Sequence, residues 1–451
     1  MRLLTMLVFL SDIHLMDGTA GRHHLGVGAF EGVLSDLAYR AERAHAKEVR
    51  VVFLGDIFEL VRSELWFPVE RDLRPWGNRP SEQHALRILE AVVEHNLETI
   101  ELLKGSWSER FPRFPVEPER IFIPGNHDRL CNLFPSLRRR VRQCLGISGD
   151  LEPFPHYLLD PEYAAIARHG HEWDTMNFEG AEAFQQDREA FHPPPEEYLE
   201  VPIGDLLAAE FATRLPVKVR EHLDGTQGAT RIYENFRNLF DIRPFNAVVP
   251  WVSYQVKMYD EKVKEAISRA VREVAAEFNG IPFVSRWHRK HDKWYRPFDA
   301  CNQVAMTFQL LQSFQLNRFE RLVPTMGRLG RLMDQGDNYA TEAAREFERL
   351  DRDPELRGRL LYVLYGHSHF PGQRAIEVGE DGAERVYINT GTWRPIYEQS
   401  QTQRGFVAWK NLTYTVLYRP GERTSGGWEL KNPAFETWTG AVKDFTGGSP
   451  L

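Results

Sequence analysis

The stretch Ile121-Phe122-Ile123-Pro124-Gly125-Asn126-His127-Asp128 places three polar side chains directly after a short apolar run. The apolar residues predict a buried strand, and the proline and glycine predict a sharp turn where that strand ends. Open α/β sheets bind their ligands at the carboxyl ends of the strands. An amide, an imidazole and a carboxylate at such an edge suit a metal ion or a phosphoryl group. A turn followed by a helix cap would explain the same residues.

Four other strand-like runs also end in acidic or imidazole side chains. The first run ends in Asp12 and His14 and the second in Asp56, while the third ends in His169 and His171 and the fourth in His367 and His369. Within each pair the two residues are two positions apart, so an extended chain turns both toward the same side. One run of this kind carries little weight, whereas several along the same chain predict a shared site at one edge of a sheet.

Composition and charge exclude some classes of protein. The chain has 451 residues, 42% of them hydrophobic, and a formal net charge of −8, which argues against a dedicated nucleic-acid binder. The three cysteines, Cys131, Cys144 and Cys301, form no paired pattern, so a reduced, cytoplasmic compartment is expected. No stretch reaches the roughly 18 apolar residues of a transmembrane helix. The sequence leaves the oligomeric state open.

The central part of the chain differs from the rest, because helical spacing replaces strand alternation and prolines divide it into several segments. We therefore predict a core formed by 1–175 and 360–451, with a mainly helical insertion over 176–359 that caps the site. Within the insertion, 287–296 mixes cations with aromatics, which predicts an exposed helix or, alternatively, contact with an anionic substrate or the surface of a membrane. Near the end, 405–418 predicts a closing hairpin.

The polar residues at the strand ends form one set of candidate metal ligands. They are Asp12, His14, Asp56, Asn126, His169, His367 and His369. This mixture of carboxylate, imidazole and amide groups suits Mn²⁺, Fe²⁺ or Zn²⁺ better than Ca²⁺. Seven ligands are too many for one ion. With one bridging carboxylate they fit two divalent ions roughly 3.5–4 Å apart.

In their order along the chain, these blocks resemble the calcineurin-like metallophosphoesterase superfamily. Its motifs read Asp-x-His, Gly-Asp, Gly-Asn-His-Asp, His-Gly(-His) and Gly-His-x-His, and the resemblance covers about 1–175 and 360–420. It implies an α/β fold, a four-layer α/β/β/α metallophosphoesterase sandwich, here with a large helical insertion. The helical part itself resembles no family that we can name.

The resemblance also implies how the ligands divide between two metal ions. One ion would be held by Asp12, His14, Asp56 and His369, and the other by Asp56, Asn126, His169 and His367. In the fourth motif the family's ligand usually precedes the glycine, which selects His169. The alternative ligand is His171, which could instead orient its neighbours.

The implied activity is hydrolysis of a phosphoric ester, small-molecule or lipid-linked, by a hydroxide held between the two metals and attacking phosphorus in line. His127 would stabilise the transition state and protonate the leaving oxygen, while Asp128 would hold its imidazole in the useful tautomer. The candidate phosphate-binding residues are Arg22, Arg129 and Arg394, and the alternative for each is a surface residue or a partner in a salt bridge. A nuclease of the same superfamily and a non-catalytic scaffold on this fold are the alternatives.

Overall fold

The structure is a computed structural model that describes residues 5–20, 25–105, 113–149, 151–187, 189–243, 247–292, 300–312, 339–379, 382–402, 405–424 and 426–442. Over these residues the chain is mixed α/β with two mixed sheets. The strands are β1 (Thr5–Leu10), β2 (Glu48–Leu54), β3 (Glu119–Ile123), β4 (Tyr157–Asp160), β5 (Ala165–Arg168), β6 (Ile242–Arg243), β7 (Tyr362–Tyr365), β8 (Gly372–Val378), β9 (Glu384–Asn389), β10 (Pro395–Gln399), β11 (Phe406–Tyr418) and β12 (Ala434–Val442).

Helices connect these strands and fill the central part of the chain. They are α1 (Val27–Arg43), α2 (Glu82–His95), α3 (Leu97–Lys104), α4 (Leu130–Leu133), α5 (Pro135–Leu145), α6 (Ala181–Gln186), α7 (Ile203–Leu206), a π-helix (Leu207–Thr213), α8 (Arg214–His222), α9 (Ala229–Phe236), α10 (Val248–Lys257), α11 (Glu261–Asn279), α12 (Pro282–His291), α13 (Ala300–Gln312) and α14 (Tyr339–Leu350). Short 3₁₀ helices span Glu64–Trp66, Arg71–Leu73, His171–Trp173, Pro195–Leu199 and Arg237–Asp241.

The first sheet has the strand order β3-β2-β1-β11-β10-β6, and β12 pairs with β11. Strands β1, β2 and β3 are parallel and end in register, with Leu10 opposite Phe53 and Leu54 opposite Ile123. Their carboxyl ends therefore meet at one edge. The chain leaves this edge through Asp12, Asp56 and Asn126, as the sequence predicts.

The second sheet has the order β4-β5-β7-β9-β8, in which β5, β7 and β9 are parallel. Ala167 pairs with Leu364, so His169 and His367 follow neighbouring strand ends. Both faces of β1 are buried, and alternate residues enter different hydrophobic clusters. Leu7 joins a cluster with Ala165 and other residues of the second sheet, whereas Val8 joins a cluster with the helices. The two sheets therefore pack against each other through an apolar layer.

Most described residues between 181 and 350 are helical, as the spacing predicts. Buried residues of these helices, such as Phe211 and Val271, belong to the same hydrophobic cluster as Val8 of β1. This part of the chain also contributes β6, which pairs in parallel with β10. The proposed boundaries between core and insertion stay a prediction.

The prediction of a closing hairpin over 405–418 is wrong. Residues Phe406–Tyr418 form one continuous strand, which pairs with β10, β1 and β12. Asn411 does not mark a turn, because it is buried and pairs with Ala441 of β12. Among the described helices, none combines the length and the apolar character that crossing a membrane requires.

Candidate metal centre

Five of the predicted ligands share an unusual backbone conformation. Their φ angles are positive at Asp12 (51°), His14 (50°), Asp56 (54°), His367 (64°) and His369 (67°). The left-handed region is uncommon for residues other than glycine, costs about 1–3 kcal/mol, and is concentrated at functional sites. Among the other described non-glycine residues, His45 and Ala164 alone share it. Among the described residues, positive φ angles outside glycine are therefore concentrated at the predicted site.

The glycines of the motifs allow the strand ends to approach each other closely. A Cβ atom on Gly125 would lie 2.3 Å from Asp56 Oδ1, and one on Gly366 would lie 2.4 Å from Asp12 Oδ2. Gly55 has a φ of 83°, and its Cβ would lie 2.2 Å from His169 Nδ1. Any side chain at these positions would push the candidate ligands apart.

Asp12, His14 and His369 form the first group of side chains that could hold a metal. His14 Nε2 lies 3.2 Å from His369 Nε2, and His369 Nε2 lies 3.3 Å from Asp12 Oδ1. Burial raises the pKa of Asp12 to about 6 and lowers the pKa of His14 to about 3. A neutral imidazole is the form that ligates metals.

Asp56, His169 and His367 form the second group. His169 Nδ1 contacts the carbonyl oxygen of Leu54 at 2.9 Å, and because a carbonyl only accepts, this nitrogen carries the proton. The other ring nitrogen, Nε2, lies 3.2 Å from Asp56 Oδ2. Burial opposes protonation of His169, but Asp56 and Asp12 raise its pKa to about 10.

The two groups adjoin each other at Asp56, whose Oδ2 lies 3.7 Å from His14 Nε2. Each group is a subset of one of the two ligand sets that the resemblance implies. Asn126, the remaining predicted ligand, is buried, and its Oδ1 accepts no hydrogen bond from the described residues. An amide oxygen in this condition is suited to a cation.

His171 belongs to neither group. Its ring centroid lies 5.3 Å from that of His169, and its Nδ1 lies 3.5 Å from Glu172. Burial lowers the pKa of His171 to about 3. This position favours His169 as the ligand and leaves His171 beside it.

The hydrogen-bond partner of the His127 ring is Glu59. The prediction that Asp128 holds this ring is therefore wrong. His127 Nδ1 lies 2.8 Å from Glu59 Oε1, while the other Glu59 oxygen lies 3.1 Å from His14 Nδ1. Asp128 instead accepts backbone N–H groups from Ile57 and Gly125, the former at 2.8 Å. Asp128 thus fixes the turn after β3, because its carboxylate is occupied by the backbone.

Three further residues complete the polar surroundings and were not predicted. Arg62 donates from Nε to Glu59 at 2.5 Å and lines the cavity described below. Asp174 lies 3.0 Å from His367 Nε2. The third residue is Glu59, which is the acid inside the otherwise apolar run Ile57–Val61. A buried charge in such a run needs partners, so the sequence did contain a signal for Glu59.

Two of the three candidate phosphate-binding arginines form buried ion pairs. Arg129 and Arg394 are almost fully buried, and they form ion pairs with Asp205 and Asp241, respectively, at 2.8 Å. Neither residue lines the cavity. The ion-pair alternative therefore describes both of them, because a buried carboxylate already occupies each guanidinium. Arg22 lies outside the described residues.

A cavity of about 410 Å³ opens beside the two groups. Its polar lining includes His14, Asp56, Asn126, His127, His367 and His369. This volume lies within the roughly 300–1,000 Å³ of small-molecule sites. A substrate in the cavity would therefore contact the candidate ligands and His127 together.

The sequence matches no protein-family model, and no curated protein is significantly similar to it. The resemblance to the calcineurin-like metallophosphoesterases therefore depends on the motifs, and the geometry above is independent of it.

Proposed function

We propose that the protein is a phosphoric ester hydrolase that uses two divalent metal ions, on the four-layer sandwich of the calcineurin-like metallophosphoesterases. The observation that carries this proposal is the pair of adjoining ligand groups, brought together from both ends of the chain beside one cavity. The apolar layer between the sheets and the helices packed on β1 support the proposed architecture.

The residues of the site fit such ions. Two carboxylates, several imidazoles and the buried Asn126 Oδ1 are a donor set for Mn²⁺, Fe²⁺ or Zn²⁺. Asp56 lies in the second group and within reach of His14 in the first, which suits a bridging ligand. When bound, two such ions supply an activated water and neutralise the charge on the phosphoryl oxygens.

His127 is the proposed general acid. Burial opposes protonation of His127, but the carboxylates of Glu59 and Asp56 raise its pKa above the ordinary value, which favours the protonated form that a general acid needs. Glu59 orients the ring through Nδ1 and leaves Nε2 as the nitrogen that can donate a proton to the leaving oxygen. The backbone N–H of His127 donates to Asp56 Oδ1 at 2.9 Å, which ties the acid to the metal centre.

The test combines metal analysis with a substrate panel. We expect purified protein to bind about two ions per chain and to hydrolyse p-nitrophenyl phosphate or bis-p-nitrophenyl phosphate. Activity should disappear with EDTA and return with Mn²⁺, Fe²⁺ or Zn²⁺. A metal-loaded protein that is inert toward every mono- and diester would contradict the proposal and favour the scaffold alternative. Preferential, salt-sensitive cleavage of single-stranded DNA would favour the nuclease.

A further inference from the structure

The described residues that line the cavity also include an apolar set, which we call the apolar wall. Its residues come from the helical part of the chain and are Met176, Leu207, Ala208, Ala212, Leu239, Ile242 and Val248. Phe370 lies next to His369 and is 38% exposed, so an aromatic ring borders the cavity on the polar side as well. A phosphoryl group would occupy only the polar part of this space.

The apolar wall includes an irregular helix. Leu207–Thr213 forms a π-helix, in which Thr213 Oγ1 donates to the carbonyl of Ala208 at 2.9 Å. π-Helical segments are rare and occur mostly at functional sites. This segment supplies Leu207, Ala208 and Ala212 to the wall, so the irregular helix lies where a bound molecule would touch it.

The charges around the cavity argue against a second polar group on the substrate. Apart from imidazoles, Arg62 is the one cationic side chain among the described lining residues, and it forms an ion pair with Glu59. A sugar or nucleotide needs several directed polar partners on the wall that holds it. The apolar wall offers hydrocarbon instead, because the other polar lining residues lie beside the candidate ligands; they are Asp174, Asn177, Tyr339 and Ser368.

We propose that the substrate is an amphipathic phosphate ester, with an alkyl or acyl-chain-like group that lies against this apolar wall while its phosphate faces the metal ligands. The inference rests on the proposed hydrolase function and specifies its substrate class. Each methylene that leaves water for the wall should strengthen binding until the cavity is full.

The test uses two homologous series with metal-loaded protein. For n-alkyl monophosphates and n-alkyl methyl phosphodiesters from methyl to decyl, we expect kcat/KM to rise about threefold to fourfold per methylene up to about hexyl. Calorimetry with the non-hydrolysable n-alkyl phosphonates should show the same gain in affinity per methylene and an increasingly negative heat-capacity change.

The outcomes separate this inference from the hydrolase function. Phosphonate affinity that does not change with chain length would overturn the inference, whatever the hydrolytic activity. Affinity that grows with chain length, without hydrolysis of any ester, would support the apolar site and overturn the proposed chemistry.

A matched pair of variants locates the site. Ala208→Leu fills part of the wall, so it should shorten the preferred chain and lower the ratio of kcat/KM for the hexyl ester to that for the methyl ester at least tenfold. Ala266→Leu is the control, because Ala266 is similarly buried on α11 but does not line the cavity. Equal chain-length profiles for the two variants would overturn the location. If Ala208→Leu does not fold, Leu239→Ala serves as the second variant. It enlarges the cavity and should therefore extend the preferred chain, and an unchanged chain-length profile would overturn the location.

Discussion

The two walls of the cavity are built in different ways. The polar wall is made of strand ends, where strained residues such as Asp12 and His369 follow the fully buried strands β1 and β7. The apolar wall comes mainly from helices, among them the π-helix, together with Met176 and with Ile242 of β6, and its residues also belong to or pack against the large hydrophobic cluster. Backbone conformation thus sets the positions of the candidate ligands, whereas side-chain packing sets the shape of the apolar wall. Substitutions should therefore affect metal and turnover at the first wall and selectivity at the second.

The largest effect is expected from removing a ligand at the polar wall. His369→Gly deletes an imidazole of the first group, so we expect loss of bound metal and a fall in kcat on the order of 10³-fold, because metal charge stabilises the transition state by several kcal/mol. Metal analysis and steady-state kinetics on p-nitrophenyl esters measure both effects.

His45→Gly is the matched control for this substitution. His45 also has a positive φ, 54°, but lies exposed after α1 and outside the metal groups. Glycine relieves the same backbone strain in both variants, so the difference between them isolates the imidazole. Equal metal content and equal rates in the two variants would show that His369 is not a ligand.

A smaller effect is expected from Glu59→Gln. This change keeps the shape of the side chain but removes the charge shared by His14 and His127, so we expect metal to be retained and kcat to fall about 10–100-fold. Because Glu59 raises the pKa of His127, its loss should lower that pKa. An acid works only while protonated, so the decline of the rate at high pH should move to lower pH.

Glu90→Gln is the control, because Glu90 forms an exposed ion pair with Arg140. If Glu59 acts through His127, Glu59→Gln should cost little further activity in a His127→Ala background, since coupled residues are not additive. Fully additive losses, or an unchanged pH profile, would assign Glu59 a purely structural role.

The polar wall was largely predictable from the sequence, and the apolar wall was not. Asp56 and Asn126 stand out because polar residues after an apolar run cannot serve the core, and parallel strands bring their ends together. Leu207 and Ala208, in contrast, have the same pattern whether they line a cavity or fill a core. The π-helix depends on tertiary packing, which helical spacing cannot reveal.

The errors in prediction have physical causes of the same kind. Asp128 directly follows His127, whereas Glu59 follows Asp56 by three residues. Only the three-dimensional path of the chain decides which carboxylate meets the backbone and which meets the imidazole. The predicted hairpin over 405–418 is instead one strand, because a polar residue such as Asn411 can lie inside a long strand when a neighbour such as β12 pairs with it. Local signals therefore identified strand ends better than side-chain partners.

The smallest effect is expected where the two walls meet, at Met176. Its backbone N–H donates to Asp174 at 2.8 Å, on the polar side, and its carbonyl accepts from Gly204 at 2.8 Å, at the start of the helical wall. Met176→Ala keeps both backbone bonds and removes only a half-buried apolar side chain from the lining. We therefore expect metal content and turnover of methyl phosphate to stay within about twofold, while kcat/KM for hexyl phosphate falls about fivefold.

Met258→Ala is the comparison for Met176→Ala, since Met258 is 38% exposed and lies outside the cavity lining. Met258→Ala should leave the activity toward both methyl phosphate and hexyl phosphate unchanged. A loss of metal in Met176→Ala would mean that the apolar side chain supports the metal centre, and the two walls would then not be separable. An equal loss for both esters would mean that Met176 positions the phosphoryl group and not the chain, because a contact with the longer alkyl chain alone cannot affect an ester whose only alkyl carbon is a methyl group.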